Sequence, residues 1–578
     1  MRHIIIIVGV GLLLLLAGSA AGTDTEDITN EYYLWIGGHV IDTSDYHKKV
    51  GEYRSFDEDL WPEFGFSYKS TTPNSMYFLK GHYFDKDNMS GLVSTTVSDF
   101  FKGRFQYRSL TRHTGQDLLE NAEAREWLGD SPGGKMLTHE ITDPGADYKY
   151  DRKEILSQVS TLLSRKNNVR LMASHRAILK SGTEQAIVST HCFSCHLTSQ
   201  AAKLEERTHD LQAGLDAEVG KLDVGYKFGY RLYESTAPVA MGYVDEAKHP
   251  VSGLKGAEFG SRLNYDDVVI PLDAKPKTQK TTHKVRIKGD AGKGKFASAV
   301  SYSRTVNKLN DLASKGWAGA FNYAVPISPR TRLVARVSAT GVSSDDPFVD
   351  VSTHREGKPG AASFDFTRYS SLDRTTAAVS AEVFHRLNLR TTLSVLAGYN
   401  RVDRTDYPVF DDGTTSSTII GQAKLRYRKG MKYSTSFKYR FEKTSDPFVS
   451  GRGLLEAHGS ALDPVHYGYN PAGDSLWGYF YYLREELRYQ AITTEPTDYH
   501  QVQLTATYRA SSKTNLNLKI DGMMDKNGDL DSLDVKHHKA NANLSLTFMP
   551  DLKWTFSGGF NYQLEKSRGP VAVALFDG

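Results

Sequence analysis

Hydrophobic and polar residues alternate along the second half of the chain, as they do in a β-strand whose two faces meet different surroundings. One face of residues 552–563 is apolar and carries Leu552, Trp554, Phe556, Phe560 and Tyr562. The other face of this segment is polar, and the same alternation recurs in residues 431–441, 501–508 and 514–522. Runs of about ten residues are long enough for a tilted strand to cross a bilayer. The pattern therefore predicts membrane-spanning strands.

The connections between these runs alternate between short and long. Eight tight turns are predicted near Asn167, Gly220, Gly292, Ser328, Asn388, Gly430, Ser512 and Pro550. Long polar segments such as 233–278, 342–374 and 442–497 lie between them. Membrane barrels combine short periplasmic turns with long extracellular loops, and a charged face that recurs on every strand fits a water-filled lumen better than a soluble β-sandwich.

A strand count follows from these turns. A first strand near 32–40, two hairpins that turn at Pro73-Asn74 and Lys102-Gly103, the eight later hairpins and a short closing strand over 571–576 make twenty-two strands. Segment 442–497 has room for one more hairpin. The sequence predicts an all-β fold, a large transmembrane antiparallel β-barrel of about 22–24 strands.

The N-terminus has the pattern of a cleaved secretory signal peptide over residues 1–21. A basic start at Arg2 and His3 precedes an apolar stretch from Ile4 to Leu16 and the small residues Ser19-Ala20-Ala21. The barrel is then expected over 22–578, and its expected location is the bacterial outer membrane, in contact with outer-membrane lipid.

Composition excludes several classes of function. The formal net charge is +3 over 578 residues and no block of Lys and Arg is present, so no nucleic-acid partner is expected. We find no nucleophile–base set, phosphate-binding loop or pair of catalytic carboxylates, so the chain is not expected to be an enzyme.

Both cysteines of the chain lie in one short motif, His191-Cys192-Phe193-Ser194-Cys195-His196. The pattern C-x-x-C-H is the attachment signature of a c-type haem, in which two thiols bind the haem covalently and the adjacent imidazole binds iron. It predicts one haem c on Cys192 and Cys195, with His196 as the proximal iron ligand. A simple disulfide and a partial zinc site are the alternatives; the disulfide leaves His196 unexplained, and the zinc site lacks further ligands.

The second axial ligand of this haem is open, with His209 and His175 as candidates. The motif is expected in a haem-bearing loop over 179–207, between strands 168–178 and 208–219. Because the turns near Asn167 and Gly220 are assigned to the periplasm, this loop is expected to start from the extracellular side, and it either stays there or folds from there into the lumen.

The segment from Ser189 to Leu211, STHCFSCHLTSQAAKLEERTHDL, resembles the MtrB/PioB family of decahaem-associated outer-membrane barrels. The resemblance implies a barrel that sheathes a periplasmic multihaem c-type cytochrome in its lumen and passes electrons to an extracellular multihaem cytochrome or mineral. Two features depart from the family: the Cys-x-x-Cys pair near the mature N-terminus is missing, and the full CxxCH implies that the barrel carries its own haem. The resulting expectation is a component of a porin–cytochrome complex for extracellular electron transfer. The alternative is a transport porin with a structural or redox Cys192–Cys195 disulfide and no haem.

Overall fold

The fold was analysed in a computed structural model. The structure describes residues 28–41, 59–117, 139–191, 196–244, 268–271, 274–349, 365–368, 373–404, 415–447, 455–458, 495–528, 535–551 and 553–569. The predicted signal peptide and the predicted closing strand over 571–576 lie outside these ranges.

The described residues form β-strands joined by turns and loops. In chain order the strands are β1 (Thr29–Ile41), β2 (Asp59–Thr71), β3 (Ser75–Tyr83), β4 (Met89–Val97), β5 (Phe101–His113), β6 (His139–Ile141), β7 (Lys149–Ser164), β8 (Val169–His191), β9 (His196–Val219), β10 (Leu222–Ser235), β11 (Met241–Val244), β12 (Val268–Pro271), β13 (Thr278–Ala291), β14 (Gly294–Asn307), β15 (Ala313–Ser328), β16 (Thr331–Ser344), β17 (Phe348–Val349), β18 (Asp365–Arg368), β19 (Arg374–Arg386), β20 (Thr391–Asp403), β21 (Thr415–Lys429), β22 (Tyr433–Ser445), β23 (Leu455–His458), β24 (Asp498–Ser511), β25 (Thr514–Lys526), β26 (Lys536–Phe548) and β27 (Phe556–Arg568).

One large sheet contains most of these strands. Twenty-one of them pair antiparallel in chain order from β1 to β27, each with its sequence neighbour in the sheet, and β6 adds a short parallel pairing to β9. The remaining strands form two small sheets, β11–β12 and β17–β18–β23. Within the described ranges no ladder joins β1 to β27, and the segment that we expect to close the barrel begins two residues after the last described residue. The large antiparallel sheet confirms the predicted fold class.

The short connections lie at one end of the sheet. Seven of the eight predicted tight turns occur, and Gly220, Gly292 and Gly430 have φ values of +63°, +59° and +58° at three of them. Near Pro550 the connection between β26 and β27 is longer and covers residues 549–555. A side chain rarely adopts this left-handed backbone, so glycine is the residue that such tight turns need. One predicted turn is misplaced. The hairpin expected to turn at Lys102-Gly103 turns instead at residues 98–100, and Lys102 and Gly103 lie inside β5.

The register gives the sheet one apolar and one polar face. Leu171 of β8 pairs with Leu215 of β9, which pairs with Tyr226 of β10, which pairs with Val285 of β13. Paired residues point to the same face, so these side chains form one apolar band, and each of them is more than a third exposed to solvent. We name the apolar face the outer face and the polar face the inner face, as in a barrel surrounded by lipid.

The opposite end of the sheet carries the long connections. Residues 236–277, 345–373 and 446–497 join consecutive strands of the large sheet there, close to the predicted long segments. The two small sheets belong to these connections. Among the described residues there is no helix with the length and hydrophobicity needed to cross a bilayer.

Candidate functional site

The inner face is strongly basic along β13. Lys280, Lys284, Arg286 and Lys288 alternate with outer-face residues along this strand, and Lys284 pairs in register with Lys227 of β10. Two lysines directly opposite each other on one face repel and are destabilising unless a counter-charge is near. The arrangement therefore concentrates positive potential on this part of the inner wall.

Carboxylates of β9 and β10 neutralise part of this charge. Asp210 accepts a hydrogen bond from Arg231, Asp216 lies 3.1 Å from Arg286, and Asp223 lies 2.8 Å from Lys288. Within the described ranges no ion pair involves Lys227, Lys280 or Lys284. These three lysines are the part of the wall that can bind an external anion.

The strand beside β13 leaves space for such an anion. Four consecutive inner-face residues of β14 in register with β13 are small, namely Ala297, Ala299, Ser301 and Ser303. Short side chains there leave the lysine ammonium groups of β13 accessible from the lumen side. We name Lys227, Lys280 and Lys284 the basic strip.

The cysteine motif lies at the tip of the longest hairpin of the sheet. The loop expected over 179–207 is almost entirely strand, because β8 continues to His191 and β9 begins at His196. β7 pairs with β8 only as far as Gly182, and β10 pairs with β9 only as far as Glu206. Residues 183–191 and 196–205 therefore form a ribbon that extends about 30 Å past β7 and β10, and the short strand β6 pairs with this ribbon at residues 197–199.

Polar contacts from neighbouring loops support this ribbon. Ser199 is fully buried and its hydroxyl is 2.6 Å from the side-chain nitrogen of Gln185. The backbone N–H of Thr142 donates to the carbonyl oxygen of Ser199 at 2.9 Å, and the Asp143 carboxylate accepts from the Ala201 N–H at 2.8 Å. These contacts hold the segment after β6 against β9. They make residues 199–201 of the ribbon part of the folded structure.

Backbone pairing reaches the cysteine motif itself. His191 and His196 are register partners at the end of the β8–β9 ladder. Cys192 and Cys195 are the first and last of the four residues that join them, and they lie outside the described residues. The hairpin is at the end of the sheet that carries the long connections, which is where the motif was expected relative to the tight turns.

The two candidates for the second haem ligand lie far from the motif. His175 and His209 are close to each other on the outer face, with 3.2 Å between their ring nitrogens and nearly parallel rings. Sixteen residues of continuous strand separate His175 from His191, and thirteen separate His209 from His196. At about 3.3 Å a residue these separations are about 50 and 40 Å. The assignment of either histidine to an iron at His196 is wrong in this fold, because a continuous ladder prevents the chain from folding back.

Another histidine, which sequence reasoning missed, lies beside the motif. The parallel pairing of β6 with β9 puts His139 in register with Leu197, the residue after His196. A strand of three residues leaves no periodic pattern, and parallel pairing with a distant segment is a tertiary property. No feature of the sequence pointed to His139.

Metal sites of other kinds are not found in the described part of the chain, where no group of three or more His, Cys, Asp or Glu side chains could hold an ion. The basic strip was also missed as a site. In the sequence its lysines look like those of any charged strand face. The approach of Lys280 and Lys284 to Lys227 depends on the register between β10 and β13.

Comparisons with known proteins give similarity to solved structures only. The chain is similar to the copper transporter OprC, with 8% identity, a TM-score of 0.47 and coverage of 92% of this chain and 73% of that one. It is similar to the FrpB iron transporter from Neisseria meningitidis, with 10% identity, a TM-score of 0.44 and coverage of 85% and 73%. For the ferric citrate transporter FecA the identity is 10%, the TM-score 0.37 and the coverage 94% and 79%.

The chain has the fold of an outer-membrane β-barrel. No family model matches the sequence, and no curated protein matches it. Sequence identities this low are evidence about the fold alone. The neighbours are outer-membrane transporters and receptors, not enzymes.

The resemblance to the MtrB/PioB family is corrected by these findings. The structures found belong to TonB-dependent outer-membrane transporters, a different family, and no sequence match connects the chain to MtrB/PioB proteins. The resemblance depended on one short stretch, residues 189–211, and most of that stretch is explained locally as a polar two-stranded ribbon.

Proposed function

We propose that this protein is an outer-membrane channel for hydrophilic anions. The observation that carries the proposal is the basic strip, Lys227, Lys280 and Lys284, on the polar inner face of a sheet of twenty-one strands. Charged side chains that line a pore set its ion selectivity, and lysine and arginine favour anions. A barrel with this many strands has a wide interior.

The neighbouring ion pairs support the same function. Arg231, Arg286 and Lys288 are fixed by carboxylates of adjacent strands, so they form a rigid polar wall. The basic strip adds mobile ammonium groups to that wall. An anion that moves along it exchanges water for successive lysine contacts without entering a low-dielectric environment, which keeps binding weak enough for release.

Solute flux into proteoliposomes tests this proposal. The purified protein is expected to admit small organic anions faster than cations of equal size. The triple variant Lys227→Gln, Lys280→Gln and Lys284→Gln is expected to lose most of this preference while it keeps the flux of neutral solutes. The matched control removes the same charge from three outer-face lysines, with the substitutions Lys153→Gln, Lys315→Gln and Lys566→Gln.

Two results would contradict the channel. A protein that admits no solute, or one whose anion preference is unchanged in the basic-strip variant, rules out a selective passage along this wall. If the control variant loses the anion preference to the same extent, the overall charge of the protein causes this preference and the inner face does not.

We propose further that Cys192 and Cys195 form a disulfide at the tip of the ribbon. The ladder closes with His191 opposite His196, and opposed Cα atoms in an antiparallel pair are about 4.5–5.5 Å apart. Cys192 follows one member of this pair in the sequence and Cys195 precedes the other, and a disulfide needs Cα atoms about 4.4–6.8 Å apart. A disulfide there would lock the hairpin end and would form readily in an exported protein.

A covalent haem at the same cysteines is the second candidate. The motif is complete for attachment, with Cys192 and Cys195 to hold the haem. His196 would supply one axial imidazole to the iron. When bound, such a group would supply one-electron transfer. A multihaem c-type cytochrome in the lumen or outside the cell is a proposal that depends on this haem.

Intact mass and haem staining of the protein from outer membranes decide between the two. A disulfide predicts a colourless protein whose mass rises by two hydrogens on reduction. A haem predicts a stained band that Cys195→Ala removes and that His175→Ala and His209→Ala leave unchanged. A colourless protein with two free thiols would contradict both.

A further inference from the structure

A recess of about 300 Å³ lies on the inner face, near the end of the sheet with the tight turns. Its lining comes from six consecutive strands of the sheet, β4, β5, β7, β8, β9 and β10. One row of register partners crosses it, in the order Lys102, Ser160, Met172, Gly214 and Lys227. Paired residues point to the same face, so this row belongs to the inner face together with Lys227 of the basic strip. The recess therefore begins at the edge of the basic strip.

Three cations lie at the two sides of the recess. Lys102 and Arg104 of β5 are on one side, Lys227 of β10 is on the other, and all three side chains are exposed. Arg104 donates from one nitrogen to the side-chain oxygen of Gln106 at 2.9 Å, which orients its guanidinium group. Among the described residues no ion pair involves any of the three cations. Four strand spacings of about 4.8 Å put the backbone of Lys102 about 19 Å from that of Lys227, so side chains from both sides can contact the two ends of one small solute.

The floor between these cations is uncharged. Gly214 is buried, and a Cβ atom at this position would lie 3.4 Å from the Cε atom of Met172. The thioether side chain of Met172 therefore covers the middle of the floor. The next row across the recess is polar and consists of Gln158, Ser174 and Gln212. The floor thus offers apolar contact to a short hydrocarbon chain, with hydrogen-bonding groups beside it.

The carboxylates closest to the floor along β9 are neutralised by other cations. None of the described residues that line the recess is acidic. Asp210 and Asp216 of β9 are each two residues from the floor on the same face. Asp210 accepts a hydrogen bond from Arg231, and Asp216 lies 3.1 Å from Arg286. The recess therefore keeps positive charge at both of its sides.

We propose that this recess binds a short α,ω-dicarboxylate, with one carboxylate at Lys102 and Arg104 and the other at Lys227. Two cationic sides and an uncharged floor match a solute with two anionic ends and an apolar middle, and Met172 would contact the methylene chain. Arginine can hold the carboxylate on its side through two parallel hydrogen bonds. The inference rests on the proposed function, because it names the class of anion that the channel would take.

Isothermal titration calorimetry of the full chain in neutral detergent at low ionic strength tests this site. Adipate is the probe, and its monomethyl ester is a probe of similar length with one anionic end. The wild type is expected to bind adipate about tenfold more tightly than the ester, because the ester loses the ion pair on one side of the recess. Heat-modified mobility on a gel verifies that each variant is folded before it is titrated.

A double variant in β5 removes one side of the recess without a change in the basic strip. Lys102→Gln with Arg104→Gln is expected to weaken adipate binding about tenfold, to the affinity of the ester. The matched control is Lys424→Gln with Arg426→Gln, which removes the same charges at the same spacing from the inner face of β21, and it is expected to bind adipate as the wild type does. Ser174→Tyr fills the recess without a change of charge and is expected to abolish adipate binding.

Four outcomes would overturn the site. They are no binding of adipate by the wild type, equal affinity for adipate and its ester, equal weakening by the control variant, and unchanged binding after Ser174→Tyr. Calorimetry measures binding and not passage, so failure of the site and failure of the channel are distinguishable. A barrel that binds adipate but conducts no ions would contradict the channel alone, and an anion-selective barrel that binds no adipate would contradict the site alone.

Discussion

At the scale of single residues, the face to which a side chain points decides its environment. Leu211 and Gln212 are consecutive in β9, and they point to opposite faces because successive residues alternate along a strand. The sequence predicted this division well, since lipid and water impose opposite requirements on alternate positions. It did not predict which charges meet, because the approach of Lys227 to Lys284 depends on the register between separate strands.

A pair of substitutions in β9 tests the assignment of faces. Leu211→Lys places a charge in the lipid and is expected to lower the free energy of unfolding by about 2–4 kcal/mol. Gln212→Lys places the same charge in the lumen and is expected to have little effect. Urea titrations of both variants folded into lipid vesicles measure the difference. Equal destabilisation by the two variants would mean that the faces are assigned wrongly.

At the scale of strands and hairpins, the tight turns were predictable and the ends of the long strands were not. Glycine at positive φ and polar turn residues leave a local pattern, which is why turns such as Gly220 and Gly292 were found. The ribbon of β8 and β9 has no such pattern. Its polar residues alternate without an apolar face, so residues 179–207 looked like a loop although they continue the ladder almost to the cysteines.

Removal of the ribbon tests whether it is independent of the barrel. Deleting residues 184–204 and joining Thr183 to Glu205 through a short glycine turn leaves the pairing of β7 with β8 and of β9 with β10 intact. The free energy of unfolding is expected to fall by about 1–3 kcal/mol, because the deletion removes the buried Ser199 and its hydrogen bonds to Gln185 and Thr142. The shorter connection itself has little effect, because loop-closure entropy depends weakly on length. Solute flux is expected to persist. Loss of the folded, heat-modifiable form would show that the ribbon is required for barrel folding.

At the scale of the whole molecule, the chain is close to neutral while its faces are not. A net charge of +3 conceals a basic strip on the inner wall and an apolar outer face. Overall composition averages these regions together, and only the three-dimensional register separates them. The inner wall suits the passage of anions through the barrel.

The reversal potential of the protein in a planar bilayer tests the central claim most directly. With a tenfold gradient of potassium chloride across the bilayer, an anion channel is expected to give a reversal potential with the same sign as the equilibrium potential of chloride. Low ionic strength should strengthen this preference, because salt screens the lysines of the basic strip. A potential of the sign set by potassium, or a bilayer that stays closed after the protein has inserted, would contradict an anion-conducting barrel.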